Sequence, residues 1–191
     1  MIDVEKILIE RGAILKGHFL LTSGLHSDTY FEKFRILEDP RLTERLISTV
    51  IDRLREFSPD VVVGPTIGGV AVAFEVARQL GVKAYYAERG ENGGRVLRRG
   101  FKLRPEDRVL VVDDVLTTGK SLLETFEAIK PFGAKIAGAF VFIDRSENFD
   151  AGVPLVSLLC VKVKNYKPEE CPLCRAGIPL VKPGSSKGTN L

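Results

Sequence analysis

Val109-Leu110-Val111-Val112-Asp113-Asp114-Val115-Leu116-Thr117-Thr118-Gly119-Lys120-Ser121 carries three chemistries in one short stretch. Its first part is a continuous β-branched apolar run, which reads as a strand covered on both faces. Two adjacent carboxylates close that strand, and hydroxyls with a glycine follow. From Ser121 to Lys130 the apolar residues Leu122, Leu123, Phe126 and Ile129 take helical spacing. A buried strand passing through a polar loop into a helix is the repeating unit of α/β proteins. Ligands in such folds sit outside the carboxyl ends of the strands, so this loop is the first place to look for a site.

Each part of the loop has a chemical use. The amides of Thr118 to Ser121, at a helix start with three hydroxyls beside them, make a cup for a phosphate dianion. Gly119 allows the backbone to approach the oxygens. Asp113 and Asp114 would repel a bare phosphate, so they suit sugar hydroxyls or a magnesium ion instead. Together these features describe a pocket for ribose 5-phosphate. The nucleotide-binding P-loop shares the ending Gly119-Lys120-Ser121, but it needs a glycine five residues earlier, where Asp114 stands. Capping alone would explain an Asp or a Thr here, not an acidic pair, a hydroxyl run and a glycine together.

Working outward, the same unit recurs. Val4 to Arg11 reads as a short helix, and Gly17 to Phe31 as a loop or hairpin. Asp39-Pro40 opens a helix whose stripe is Leu42, Leu46, Val50, Leu54 and Phe57. Asp60 to Pro65 is a strand, and Val70 to Leu80 a helix closed by Gly81. Lys83 to Ala87 forms a strand, a Gly- and Arg-rich excursion covers Glu88 to Lys102, and Lys135 to Ile143 and Leu155 to Val163 are strands. Strands without alternation imply a mostly parallel sheet flanked by helices. One domain is expected over 1–191: an N-terminal helix and hood (1–36), a core (37–166), and a tail (167–191) that is expected to be partly disordered at its end.

Val111-Val112-Asp113-Asp114-Val115-Leu116-Thr117-Thr118-Gly119-Lys120-Ser121 resembles the phosphoribosyl pyrophosphate signature of type I phosphoribosyltransferases. The resemblance implies that fold, with a small hood. It also implies ribose on Asp113 and Asp114 and the 5-phosphate on Val115, Leu116, Thr117, Thr118, Gly119, Lys120 and Ser121. Gly17-His18-Phe19-Leu20-Leu21-Thr22-Ser23-Gly24 and the aromatic pair Tyr30-Phe31 are similar to the hood of the orotate branch, in which the pair would flank a pyrimidine. Asp144-Arg145-Ser146-Glu147 resembles that branch's Asp-Arg-x-Glu, so Arg145 inherits a contact to the base, as does Thr117. Gly64 to Gly69, with Thr66, Gly68 and Gly69, would floor the pyrophosphate through backbone amides. The excursion would be a mobile loop offering Arg89, Arg95 and Arg99 to the leaving group. The resemblance further implies Mg2+ as cofactor, phosphoribosyl pyrophosphate and orotate as substrates, and a homodimer with shared active sites. Purine phosphoribosyltransferases and regulators that sense the same pyrophosphate are the rival readings. Many bacterial members carry a lysine where this chain has Thr22, and Tyr-Lys-Gly where it has Ile67-Gly68-Gly69, so a basic contact is missing twice.

Composition narrows the class further. The chain has 191 residues, is 45% hydrophobic and carries a formal charge of +3, too weak a bias for nucleic acid. Its start carries carboxylates where a signal would be basic, and no apolar run is long enough for a membrane span, so a cytoplasmic enzyme is expected. Only two histidines occur, His18 and His26, neither in a recognisable nucleophile pattern. Cys171-Pro172-Leu173-Cys174 is one cysteine pair without a second. Free thiols on a turn, or a disulfide, are therefore expected there in preference to zinc.

Overall fold

The structure, a computed structural model, describes residues 3–21, 23–147 and 149–183. Its elements in chain order are α1 (Val4–Glu10), β1 (Ile14–Leu20), β2 (His26–Phe31), α2 (Phe34–Leu37), α3 (Pro40–Ser48), α4 (Ile51–Arg55), β3 (Val61–Pro65) and α5 (Gly68–Leu80). They continue with β4 (Lys83–Arg89), β5 (Arg95–Leu97), β6 (Arg108–Leu116), α6 (Lys120–Ile129), β7 (Lys135–Asp144), β8 (Leu155–Cys160), β9 (Asn165–Tyr166) and α7 (Pro172–Arg175). Six strands form the main sheet in the order β5-β4-β3-β6-β7-β8. All its pairings are parallel except β4 with β5 at the edge.

The uninterrupted apolar runs divide between two cores. Val62, Leu110, Val112, Phe140 and Phe142 face α1, α3 and α5, whereas Val61, Val63, Val109, Val111 and Ala139 face α6 through Leu122, Phe126 and Ile129. Alternate side chains point to opposite faces of a strand, so a sheet covered on both sides needs apolar residues at every position. After β4 the chain crosses back over β3 to lay down β6, so the winding reverses between β3 and β6. Their ladder ends at Val63 and Val111, while β3 runs on to Pro65 and β6 to Leu116. The gap beyond that last pair is the crevice where ligands sit in this class of sheet.

Three expected elements differ. The stripe from Leu42 to Leu54 is buried as expected, but the helix is broken at Thr49-Val50. The Thr49 hydroxyl donates to the Leu46 carbonyl at 2.7 Å and that of Ser48 to the Glu44 carbonyl at 2.8 Å. Such side-chain bonds compete with the helical ladder. Strand β6 extends through both carboxylates because β7 pairs with it as far as Leu116 and Asp144. The expected mobile loop is a β-hairpin, with Ala87, Glu88 and Arg89 paired to Leu97, Val96 and Arg95.

The hood is a second sheet, β1-β2-β9, in which the carboxyl-terminal β9 pairs with β2. Beyond it, Val181 bridges Phe19. Both ends of the chain therefore build the hood. The expected disorder at the end of the tail, and the departure at Thr22, lie outside the described residues. No helix among the described residues is long and apolar enough to cross a membrane.

Candidate active site

The crevice between β3 and β6 receives the acidic pair. Asp113 and Asp114 are buried, and each holds its neighbour's amide: Asp114 N donates to Asp113 Oδ1 at 2.8 Å and Val115 N to Asp114 Oδ1 at 2.7 Å. The two carboxylates lie over the start of α5. A Cβ on Gly68 would run into Asp114 Oδ2, and one on Gly69 would come within 3.2 Å of Asp113 Oδ1. The glycine pair is thus a condition for the carboxylates to be where they are.

Charge is unevenly supplied here. Burial first, and then the neighbouring charge of Asp114, push the Asp113 carboxyl up to about 7. Lys33 Nζ stands 2.7 Å from Asp114 Oδ2. Among the described residues that ammonium is the cation paired with this buried oxygen, which has no further polar partner. Lys33 follows the hood motif and was not anticipated. Only its place two residues after the aromatic pair hinted at it. It brings a cation to the crevice, which the chain lacks at Ile67-Gly68-Gly69.

The loop beyond β6 lines a cleft with Thr117, Thr118, Gly119, Lys120 and Ser121, bounded by Asp113. Gly119 is the N-cap of α6 with φ 76°, and Phe149 packs where its Cβ would stand. Only glycine fits both constraints. Thr117, Thr118 and Lys120 are exposed to the cleft mouth. Val115 is half-buried and Leu116 buried, and the Leu116 carbonyl accepts from Arg145 N at 3.0 Å. Opposite this loop, the Thr66–Ile67 peptide is cis.

The arginines separate. Arg95 turns inward, its side chain only 6% exposed. It donates to the carbonyls of Thr66 and Ala87, both at 3.2 Å, and to Ser121 Oγ at 2.8 Å. It therefore braces the loop after β3 against the loop after β6 and is turned away from solvent, whereas the expectation had it offered by a mobile loop. Arg99 is exposed and paired with Glu88 at 2.8 Å, and Arg89 is exposed on the same ladder.

Arg145 follows β7, presented by a turn in which Ser146 N and Oγ donate to Asp144 Oδ1 at 2.9 and 2.6 Å. Its guanidinium lies 5.2 Å above the Phe31 ring and is half-buried, with no ion pair or side-chain hydrogen bond among the described residues. Burial alone lowers its pKa. Tyr30 is not brought to the same place. Neighbouring residues of a strand face opposite ways, and Tyr30 packs on Phe19 with ring centroids 5.7 Å apart. The pair therefore does not bracket one ligand, and Phe31 itself is buried in the core.

Residues 35–151 match the family described as phosphoribosyl transferase domain. Over 185 residues, 96% of this chain and 97% of the relative, it is 48% identical to an orotate phosphoribosyltransferase of Caldanaerobacter subterraneus subsp. tengcongensis. One of Pelotomaculum thermopropionicum is also 48% identical, over 97% of both chains. The crystal structure of orotate phosphoribosyltransferase from Aeropyrum pernix superposes with a TM-score of 0.66 at 31% identity, over 82% of this chain and 92% of that one.

Proposed function

We infer that this chain, which belongs to the phosphoribosyltransferase family and to its orotate branch, transfers the phosphoribosyl group of phosphoribosyl pyrophosphate to orotate, giving orotidine 5'-phosphate and pyrophosphate. The observation that carries the choice of base is Arg145: a half-buried guanidinium over an aromatic ring, without a counter-ion among the described residues. Such a group calls for an anionic, planar partner, and orotate offers a carboxylate beside a carbonyl edge on a flat ring. A purine offers no anion to it.

The roles follow from position. Amides and hydroxyls of Thr117 to Ser121 hold the 5-phosphate, and Asp113 and Asp114 accept from the ribose hydroxyls. Thr66, Gly68 and Gly69 bed the pyrophosphate, with Arg89 and Arg99 at the rim. Arg145, held over Phe31, orients the base, with Thr117 beside it. The bond from ribose carbon 1 to pyrophosphate breaks as the ring nitrogen of the base, losing its proton, bonds to that carbon. Positive charge develops on the ribose, and no protein nucleophile takes part. Rate comes from alignment and from stabilising the departing charge.

Magnesium suits the acidic pair, since two adjacent buried carboxylates share the single ammonium of Lys33 among the described residues, and burial and the neighbouring charge of Asp114 drive Asp113 toward its neutral form. Asp113 and Asp114 would hold such an ion, and the chemistry it would supply is neutralisation of the leaving pyrophosphate. A homodimer also fits: Ile67 is 78% and Phe74 55% exposed, and with Val70 and Ala71 they form an apolar surface next to the pyrophosphate bed. Turnover with phosphoribosyl pyrophosphate and magnesium, compared across orotate, uracil, adenine and hypoxanthine, tests the reading. Orotate should be strongly preferred, and preference for a purine would overturn it.

A further inference from the structure

Away from the transferase crevice, the fold gathers four metal-ligating side chains from opposite ends of the chain. His18 on β1, His26 on β2, and Cys171 and Cys174 at the start of α7 place one nitrogen or sulfur each within 4.8 Å of all the others. His18 Nε2 lies 3.0 Å from His26 Nδ1, 3.4 Å from Cys171 Sγ and 3.7 Å from Cys174 Sγ. Cys174 Sγ lies 3.3 Å from His26 Nδ1. A tetrahedral zinc ion with bonds of about 2.0 Å to nitrogen and about 2.3 Å to sulfur would separate its ligands by roughly 3.3 to 3.8 Å. Three of these four spacings fall within that range, the imidazole pair at 3.0 Å lies just below it, and the remaining pairs lie within 4.8 Å.

We propose that His18, His26, Cys171 and Cys174 form a structural zinc site that fastens the carboxyl-terminal segment to the hood. A hydrogen bond between the two imidazoles would explain their 3.0 Å spacing. It gives no reason for two thiols to converge on the same pair of nitrogens. His18 Nδ1 lies 2.8 Å from the Ile178 carbonyl and can only donate to it, which leaves the Nε2 lone pair aimed at the cluster. That outer hydrogen bond is the usual support of a metal-bound histidine. Two thiolates and two neutral imidazoles balance the charge of Zn2+, so burying the complex leaves no net charge. His18, His26 and Cys171 are buried, and Cys174 is exposed and opens one edge for entry. Four protein ligands fill the tetrahedron, which makes the site structural, not catalytic.

The segment needs such a fastening. From 167 to 183 Cys171 is the one buried residue, while Ile178, Leu180 and Val181 are 41%, 44% and 51% exposed. The segment also meets the hood through the bridge of Val181 with β1, with its two backbone hydrogen bonds of 2.8 Å, and through the Ile178 carbonyl that accepts from His18. That is little apolar burial to offset the entropy of ordering it.

Metal analysis of untagged protein purified without chelator tests the site independently of any transferase assay. The expected result is one zinc per chain, lost when Cys171→Ser and Cys174→Ser are combined and kept in Cys160→Ser, whose thiol is exposed. Should the double variant fail to fold, cobalt titration of metal-stripped wild type decides. Tetrahedral d–d bands with thiolate-to-cobalt charge transfer, saturating at one equivalent, support the site. Wild type that carries no stoichiometric zinc and yields no such spectrum overturns it, as does a folded double variant that retains the metal. Iron in place of zinc overturns the assignment of the metal.

Discussion

Asp113 shows a site residue held at a cost to the fold. Its pKa is 3.8 ordinarily and about 7 in the folded chain, so the native state binds this proton more tightly than the unfolded state. Its contribution to stability is therefore greatest at low pH and falls as pH climbs through that interval. Asp113→Asn keeps the oxygen that accepts from Asp114 N and removes the charge. Thermal unfolding should then show a higher Tm than wild type above about pH 7, a flatter pH profile, and weaker phosphoribosyl pyrophosphate binding by calorimetry. A variant less stable than wild type at high pH would contradict this account. Arg145 carries the opposite prediction. Arg145→Ala should cost about 2 kcal/mol in kcat/KM for orotate, as expected for losing a charge-assisted hydrogen-bonded pair. Affinity for phosphoribosyl pyrophosphate should stay nearly unchanged, and normal orotate turnover would remove the residue from the base site.

At the scale of elements, the β4–β5 hairpin divides its arginines between structure and chemistry. Arg95 is turned in to link the β3 loop with Ser121, whereas Arg99 pairs with Glu88 in solvent. Arg95→Ala leaves the carbonyls of Thr66 and Ala87 without that donor, so urea unfolding should show a loss of about 2 kcal/mol together with reduced turnover. Arg99→Ala should leave the unfolding curve in place and lower kcat alone. If both variants unfold like wild type, the brace is not a brace. The sequence named all these arginines as loop cations, since antiparallel pairing at a sheet edge and the inward turn of one side chain leave no local mark. The α3–α4 break was hidden for the same reason. Its apolar stripe continues through Val50, and two hydroxyl-to-carbonyl bonds decide where the helix stops.

For the whole molecule, the apolar surface of Ile67, Val70 and Phe74 adjoins the crevice. If this surface joins the proposed homodimer, combined Ile67→Asp and Phe74→Asp should shift light-scattering mass from dimer to monomer and lower turnover. Mixing Arg99→Ala chains with chains carrying Asp113→Asn and Asp114→Asn should restore part of the activity through hybrid sites. Absence of rescue after confirmed subunit exchange would count against a shared site.

By itself the sequence determined the α/β class and the strand-to-helix loop with its acidic pair, because these rest on contiguous residues and on short periodicities that local sterics and burial enforce. Val109 to Ser121 could be read without knowing where any other element lay. Tertiary structure alone decided the partners: Lys33 at Asp114, Arg145 over Phe31, Arg95 under Ser121, and two histidines of the hood around two cysteines of the tail. His18 and Cys171 are 153 residues apart. Nothing in either neighbourhood of the chain encodes their meeting, which depends on hairpin register and on the path the chain takes back across the hood.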